Sequence, residues 1–398
     1  MAGFDDDLRG RLEALEEAGL RRTLLPLAGL DAVRVTADDR LLVNFASNDY
    51  LGLSRHPALL EAARQALHDE GAGSGASRLM SGSRREHTRL EQCLADWKRT
   101  GAALSFPSGF AAALGAIPAL VERGDLVVVD RLVHACCIDA ARLSGATLRV
   151  FRHNDPEDLD RMLGRINRLR SVRRPRVLVV TEGVFSMDGD AAPLRELVRV
   201  KERHGAWLMV DEAHATGLFG ASRSGAVEEA GLESQVEVRM GTLGKALGSA
   251  GGYLAGSRSL IDLLVNRARS FIYTTAPVPA AAAAARAAIG LVRGAEGIRL
   301  AGLLRDRLDQ LDREWPVLPW TAPTRPAAIR PILVGRPEPA MRLAARLREA
   351  GLLVPAIRFP TVPRGGDRLR LSLSAAHSPE DITRLLQALR EAAIEGPS

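Results

Sequence analysis

From residue 126 onward the chain alternates short, continuous apolar runs with helical patterns, and this alternation restricts its fold more than any other feature. Runs rich in β-branched residues occupy 126–130, 147–151, 176–181, 207–211 and 236–241, with helical spacing between several of them, as over 193–204. Such runs suit strands buried on both faces, and parallel neighbours need crossover connections, usually helical. The pattern predicts an α/β fold with a mostly parallel central sheet and helices on both faces. Sites in such sheets form just beyond the carboxyl ends of the strands. Upstream, residues 6–25 read as an amphipathic helix stopped by Pro26, 41–45 as a short strand, and 57–70 and 86–97 as helices. After Pro277 come an alanine-rich helix, a helix over 300–312, strands at 329–334 and 369–374 around a helix at 340–350, and a last helix over 379–393. The expected organisation is an N-terminal helix and arm (1–45), a large α/β domain (46–285) and a smaller α+β domain (286–398).

Composition excludes several function classes. The net charge is +6, but arginines are interleaved with Asp and Glu, and aromatics are only 4% of the chain. No basic block with interleaved aromatics exists, so no nucleic-acid partner is expected. The most apolar stretch, 280–292, is short and mostly alanine, well under the ~18 residues of a membrane span. The N-terminal segment is acidic and has no apolar signal core, so the expected compartment is the cytoplasm. Cys93, Cys136 and Cys137 form no C-x-x-C pattern; they read as reduced thiols, with no metal site.

Only three of the 54 Lys and Arg residues are lysines: Lys98, Lys201 and Lys245. Amine chemistry must use one of them. Lys98 in Trp97-Lys98-Arg99 and Lys201 in Val200-Lys201-Glu202 read as solvated surface residues. Lys245 differs, lying in Gly241-Thr242-Leu243-Gly244-Lys245-Ala246-Leu247-Gly248. Glycines permit close backbone approach. A desolvated lysine there has a lowered pKa and offers a neutral amine to a carbonyl carbon. A phosphate-binding P-loop is excluded, since Arg239 and Ala246 stand where it needs glycine and Ser or Thr. Asp211 closes the run Trp207-Leu208-Met209-Val210. Alone it is a turn residue or a helix N-cap. With a glycine-flanked lysine 34 positions on, it also suits pyridoxal phosphate, which needs a lysine and a carboxylate against the pyridinium nitrogen. Thr242, three residues before Lys245, suits the phosphate. Ser108-Gly109-Phe110 opens a helical run whose backbone N–H groups also suit a phosphate. His134, just past an apolar run, is either structural or lies flat against a ring.

These residues stand within longer matching blocks: Ser47-Asn48-Asp49-Tyr50-Leu51-Gly52-Leu53, the glycine stretch 71–77, Ser108-Gly109-Phe110-Ala111-Ala112, Thr181-Glu182-Gly183-Val184-Phe185-Ser186-Met187-Asp188-Gly189-Asp190, 211–217, 241–248, Ala356-Ile357-Arg358, Thr361-Val362-Pro363 and Ala375-Ala376-His377. In this order they make the chain resemble the α-oxoamine synthases, fold-type I pyridoxal phosphate-dependent transferases, along nearly its whole length. The resemblance implies that Lys245 bonds the cofactor, Asp211 pairs with its ring nitrogen and His134 stacks on the ring. Ser186 and His214 would reach the phenolic oxygen. Thr242 and the Ser108-Gly109-Phe110 backbone would hold the phosphate, helped by Thr274 or Thr275 of a second subunit in a homodimer. Arg358 would bind an amino-acid carboxylate, with Asn48 nearby. Thr361 and either Arg21 or Arg22 would face an acyl substrate. The likeness is greatest to the branch that condenses L-alanine with a pimeloyl thioester, on coenzyme A or an acyl carrier protein, in biotin biosynthesis. Branches using glycine or another acyl thioester stay open.

Overall fold

A computed structural model describes residues 3–168, 174–320 and 327–394. The chain divides into two compact units: Leu51–Ser186 with Asp190–Gly302, and Met1–Tyr50 with Met187–Gly189 and Leu303–Ser398.

Strands are numbered in chain order: β1 (Ala28–Gly29), β2 (Arg34–Ala37), β3 (Arg40–Asn44), β4 (Ala102–Phe106), β5 (Leu126–Asp130), β6 (Thr147–Phe151), β7 (Val177–Glu182), β8 (Trp207–Asp211), β9 (Val238–Thr242), β10 (Gly252–Gly256), β11 (Ile329–Leu333), β12 (Leu352–Leu353), β13 (Ala356–Ile357) and β14 (Arg368–Ser372). The larger unit holds a seven-stranded sheet in the order β4-β10-β9-β8-β7-β5-β6. Its neighbours from β9 to β6 are parallel, whereas β10 runs antiparallel to both β4 and β9. Val127, Val129, Leu178, Val180 and Met209 pack with residues of helices Gly109–Leu120, Ala135–Leu143 and Arg258–Arg267. The alternate residues Val128, Val179, Leu208 and Val210 are equally buried. Both faces are therefore covered, as continuous apolar strands require. The sequence pattern does not disclose β4 or β10. Their sequences, AALSF and GYLAG, hold no β-branched residue, and burial rather than propensity makes them strands.

The smaller unit contains two small sheets. In one, β1, β2 and β3 form an antiparallel ribbon and β12 joins β3 in parallel. In the other, β14 lies antiparallel between β11 and β13. The β3–β12 pairing explains why residues expected as a separate arm count with the C-terminal unit. The division at Gly302 lies later than 285, because helix Pro279–Arg293 buries Ala280 and Ala283 against Ala66 of helix Pro57–Glu70. The first helix, Phe4–Glu17, is shorter than its pattern suggests. Gly19 adopts φ 63°, and the N–H groups of Gly19 and Leu20 donate to Glu16 and Leu15 carbonyls, a Schellman termination. Among the described residues, no helix is long and apolar enough to cross a membrane.

Candidate active site

In the larger unit the carboxyl ends of β7, β8 and β9 and the start of helix Gly109–Leu120 surround a cavity of about 180 Å³. Gly109, Phe110, His134, Asp211, His214, Thr242 and Lys245, all expected site residues, line it together. Ser186 is buried nearby in sequence to Glu182 and donates its N–H to Glu182 Oε2 at 3.2 Å. Ser108 caps the helix, its Oγ accepting from Ala111 N–H at 3.0 Å. Ser108, Ser186, Thr274 and Thr275 are not among the lining residues.

Lys245 Nζ lies 2.6 Å from His214 Nε2. Asp211 ends β8 in register with Glu182 at the end of β7, and both carboxyl groups are almost fully buried. Burial pushes the Asp211 pKa up, opposed by the Lys245 charge and by the Ala213 N–H that Asp211 Oδ1 accepts at 2.9 Å. Burial, then the neighbouring Asp211, raises Glu182 well above the usual carboxylate range. Glu182 Oε1 has no hydrogen-bond partner. Two buried carboxyl groups side by side disfavour double ionisation. The cavity thus suits a cation or an N–H donor. Glu182 was not singled out for a role from sequence; its position one strand over, at the level of Asp211, is visible only once β7 and β8 pair.

His134 caps helix Ala135–Leu143, Nδ1 accepting the Cys136 N–H at 3.2 Å and standing 3.0 Å from Cys136 Sγ. That thiol contact raises the His134 pKa, and Cys136 is lowered to about 6 by its Cys137 and His134 neighbours despite burial. Thr242 Oγ1 donates to the Gly251 carbonyl at 2.9 Å and accepts from Gly244 N–H at 3.2 Å, which ties the residues before Lys245 to those after it. Gly252 allows a close backbone approach: a Cβ there would meet Gly109 N and the Ser108 carbonyl group at 2.5 Å.

The expectation that Lys98 and Lys201 are surface residues is overturned. Lys98 is fully buried, and its Nζ donates to Glu212 Oε2 at 2.8 Å, to Thr216 Oγ1 at 3.2 Å and to the Ser224 carbonyl. Burial opposes its charge, but Glu212 and Tyr253 hold the pKa above the ordinary lysine value. Lys201 is buried against Glu237, Nζ to Oε1 2.6 Å. Both are locked in ion pairs, which leaves the amine of Lys245 as the one facing a cavity.

The smaller unit carries the other expected residues. Arg21, Arg22, Arg358 and Thr361 line a cavity of about 580 Å³ with Met341 and Ile357. Arg22 donates to Thr361 Oγ1 at 3.2 Å, while Arg21 pairs with Glu16 at 3.0 Å. Arg358 donates to the carbonyls of Gly19 and Arg21. Asn48 Oδ1 accepts from Tyr50 OH at 3.0 Å and from buried Arg370 at 3.1 Å. Arg370, unremarked in sequence, also donates to Ser372 Oγ at 2.7 Å.

The family model for class I and II aminotransferases matches residues 40–389. The chain is 46% identical to the 8-amino-7-oxononanoate synthase of Geobacter sulfurreducens over 389 residues, covering 96% of each. It is 48% identical to that of Alkalilimnicola ehrlichii over 383 residues, 95% of each. Among solved structures it superposes on the serine palmitoyltransferase of Sphingomonas wittichii with a TM-score of 0.90, at 32% identity and covering 98% and 97% of the two chains. The 8-amino-7-oxononanoate synthase of Francisella tularensis gives 0.72 at 26% identity, over 89% and 97%. An amine beside an imidazole, a buried carboxyl pair with an unpartnered oxygen and a helix N-terminus approached through Gly252 fit pyridoxal phosphate. The chain belongs to the class I and II aminotransferase family of pyridoxal phosphate enzymes, among its α-oxoamine synthases.

Proposed function

We propose that this protein condenses L-alanine with a pimeloyl thioester, releasing CO2 and the thiol and forming 8-amino-7-oxononanoate for biotin biosynthesis. The observation that carries the chemistry is the Lys245 amine and the buried Asp211 carboxyl in one cavity. The relatives' name, 8-amino-7-oxononanoate synthase, at 43–48% identity, supports the product. Pyridoxal phosphate, when bound, supplies an electron sink for the charge that develops at the amino-acid Cα. Lys245 would bond the cofactor at rest and move the Cα proton during turnover, as a general base whose pKa must lie near working pH. Asp211 would hold a proton at the ring nitrogen. His134 would lie against the ring, and Ser186 and His214 would donate to its phenolic oxygen. The Ser108-Gly109-Phe110 backbone and Thr242 would bind the phosphate, with Thr274 or Thr275 of a second subunit in a cytoplasmic homodimer. Arg358 would hold the alanine carboxylate, since a guanidinium meets a carboxylate in two parallel bonds, with Asn48 beside it. Arg22 and Thr361 would face the acyl chain, carried on coenzyme A or an acyl carrier protein.

The test is CO2 release by the purified protein with L-alanine and with glycine, each offered pimeloyl and shorter acyl thioesters. Fastest turnover with alanine and pimeloyl is expected. Faster turnover with glycine and a short acyl group would instead point to chemistry of the 5-aminolevulinate synthase or 2-amino-3-ketobutyrate ligase type.

A further inference from the structure

Beside the cavity that Lys245 lines stand two thiols that the proposed reaction does not use, within reach of Asp211 and His134, which it does. Cys136 and Cys137 are both buried at the start of helix Ala135–Leu143, with Sγ atoms 3.9 Å apart. Both sulfurs and a carboxylate oxygen of Asp211 lie within 4.8 Å of one another. His134 Nδ1 stands 3.0 Å from Cys136 Sγ. His134, Cys136, Glu182 and Asp211 line the same cavity, and Glu182 Oε1 is buried there without a partner.

Two thiolates bound to one tetrahedral zinc ion at about 2.3 Å stand about 3.8 Å apart. The observed sulfur separation needs almost no adjustment to meet that value. Adjacent thiols, a carboxylate and an imidazole form a mixed S/O/N donor set, which suits zinc or cadmium and not the hard cations that take oxygen ligands alone. We propose that Cys136, Cys137 and Asp211, with His134 beside them, bind one thiophilic divalent cation, and that this cation and pyridoxal phosphate exclude one another. The exclusion has a simple cause: Asp211 Oδ1 already accepts the Ala213 N–H, so a cation and the cofactor's ring nitrogen would compete for the same carboxylate. This second half rests on the cofactor reading above; cation binding itself does not.

The experiment titrates the full chain with Cd²⁺, followed by the ultraviolet thiolate-to-cadmium band, without added pyridoxal phosphate and then saturated with it. One Cd²⁺ per chain is expected. Cys136→Ser and Cys137→Ser should each weaken binding at least tenfold, Cys136→Ala should match Cys136→Ser, and Cys93→Ser should bind as the parent does. Circular dichroism shows that each variant compared is folded. Unchanged binding in the Cys136 and Cys137 variants, or loss of the band in Cys93→Ser, overturns the site. Saturating pyridoxal phosphate should weaken Cd²⁺ binding at least tenfold. If the protein turns yellow with the cofactor and still binds Cd²⁺ with equal affinity through the same cysteines, the exclusion is overturned. A protein that never turns yellow instead refutes the cofactor reading and leaves the cysteine result to stand on its own measurement.

Discussion

Replacing Lys98 by methionine should destabilise the protein far more than an exposed lysine can. Its side chain is 0% exposed and that of Glu212 is 1% exposed, with 2.8 Å between the charged atoms. At an effective dielectric of about 20, that separation corresponds to an attraction of about 6 kcal/mol, set against the cost of desolvating both ions. Removing one partner of a buried pair leaves the other charge uncompensated, and costs about 3–5 kcal/mol. The Ser224 carbonyl loses this donor as well, and Thr216 Oγ1 keeps only its contact with Tyr253 OH. For a unit of this size the expected fall in Tm is roughly 6–20 °C. Glu212 Oε1 also accepts the Val227 N–H at 2.9 Å, so Glu212→Gln is the milder partner for a double-mutant cycle. Thermal and urea unfolding of parent, Lys98→Met, Glu212→Gln and the double variant, at fixed cofactor concentration, measure the coupling. The double variant should be less destabilised than the sum of the singles by at least about 2 kcal/mol. A Lys98→Met cost below about 0.5 kcal/mol, the usual range for an exposed substitution, would refute the reasoning.

Gly252→Ala should lower pyridoxal phosphate affinity at least tenfold while the chain still folds, because its Cβ presses on the Gly109 N and Ser108 carbonyl backbone; cofactor titration by visible absorbance would show unchanged affinity if that contact is harmless. His153 bridges Asp130 and Asp190 at 2.9 Å each, and despite burial these partners raise its pKa to about 9. Its stabilisation is therefore complete below the unfolded value of about 6.5 and lost as pH rises toward 9; urea midpoints should fall over that range, and the alkaline slope should flatten in His153→Gln. His377, stacked on Phe45 at 4.2 Å, has its pKa pushed down to about 4 by burial, so stability should also decline as pH falls from about 6.5 toward 4. Arg22→Ala should raise the KM for the acyl thioester severalfold more than Arg21→Ala, since Arg22 meets Thr361 and Arg21 meets Glu16; equal effects would contradict that division.

Much of the fold is legible in the sequence. Short apolar runs predict β5, β6 and β8 to the residue; β5 and β8 are apolar up to a closing aspartate because both their faces are buried, whereas β6, at the sheet edge, is largely exposed and carries Arg149. The helix at Pro57–Glu70 is equally plain, its start marked by proline and its end by glycine. The strands β4 and β10 were not legible, since AALSF and GYLAG hold no β-branched residue and become strand through burial in the sheet. Local pattern also failed at Phe4–Glu17, where a glycine cap ends the helix before the apolar periodicity does.

At the site, the sequence by itself singled out Lys245 as the candidate amine, the one of three lysines that lies among glycines. It also determined that Asp211 closes a buried strand. Only the tertiary structure decided what surrounds them. Lys98 looks exposed in Trp97-Lys98-Arg99, yet it is buried because Glu212, 114 positions away, neutralises it. Glu182 and Cys136 join Asp211 in one cavity because parallel strands end at one level. Local spacing records the propensity of a segment, but burial and charge pairing depend on partners distant in sequence. Those long-range contacts separate a lysine that holds the fold together from the one left facing a cavity.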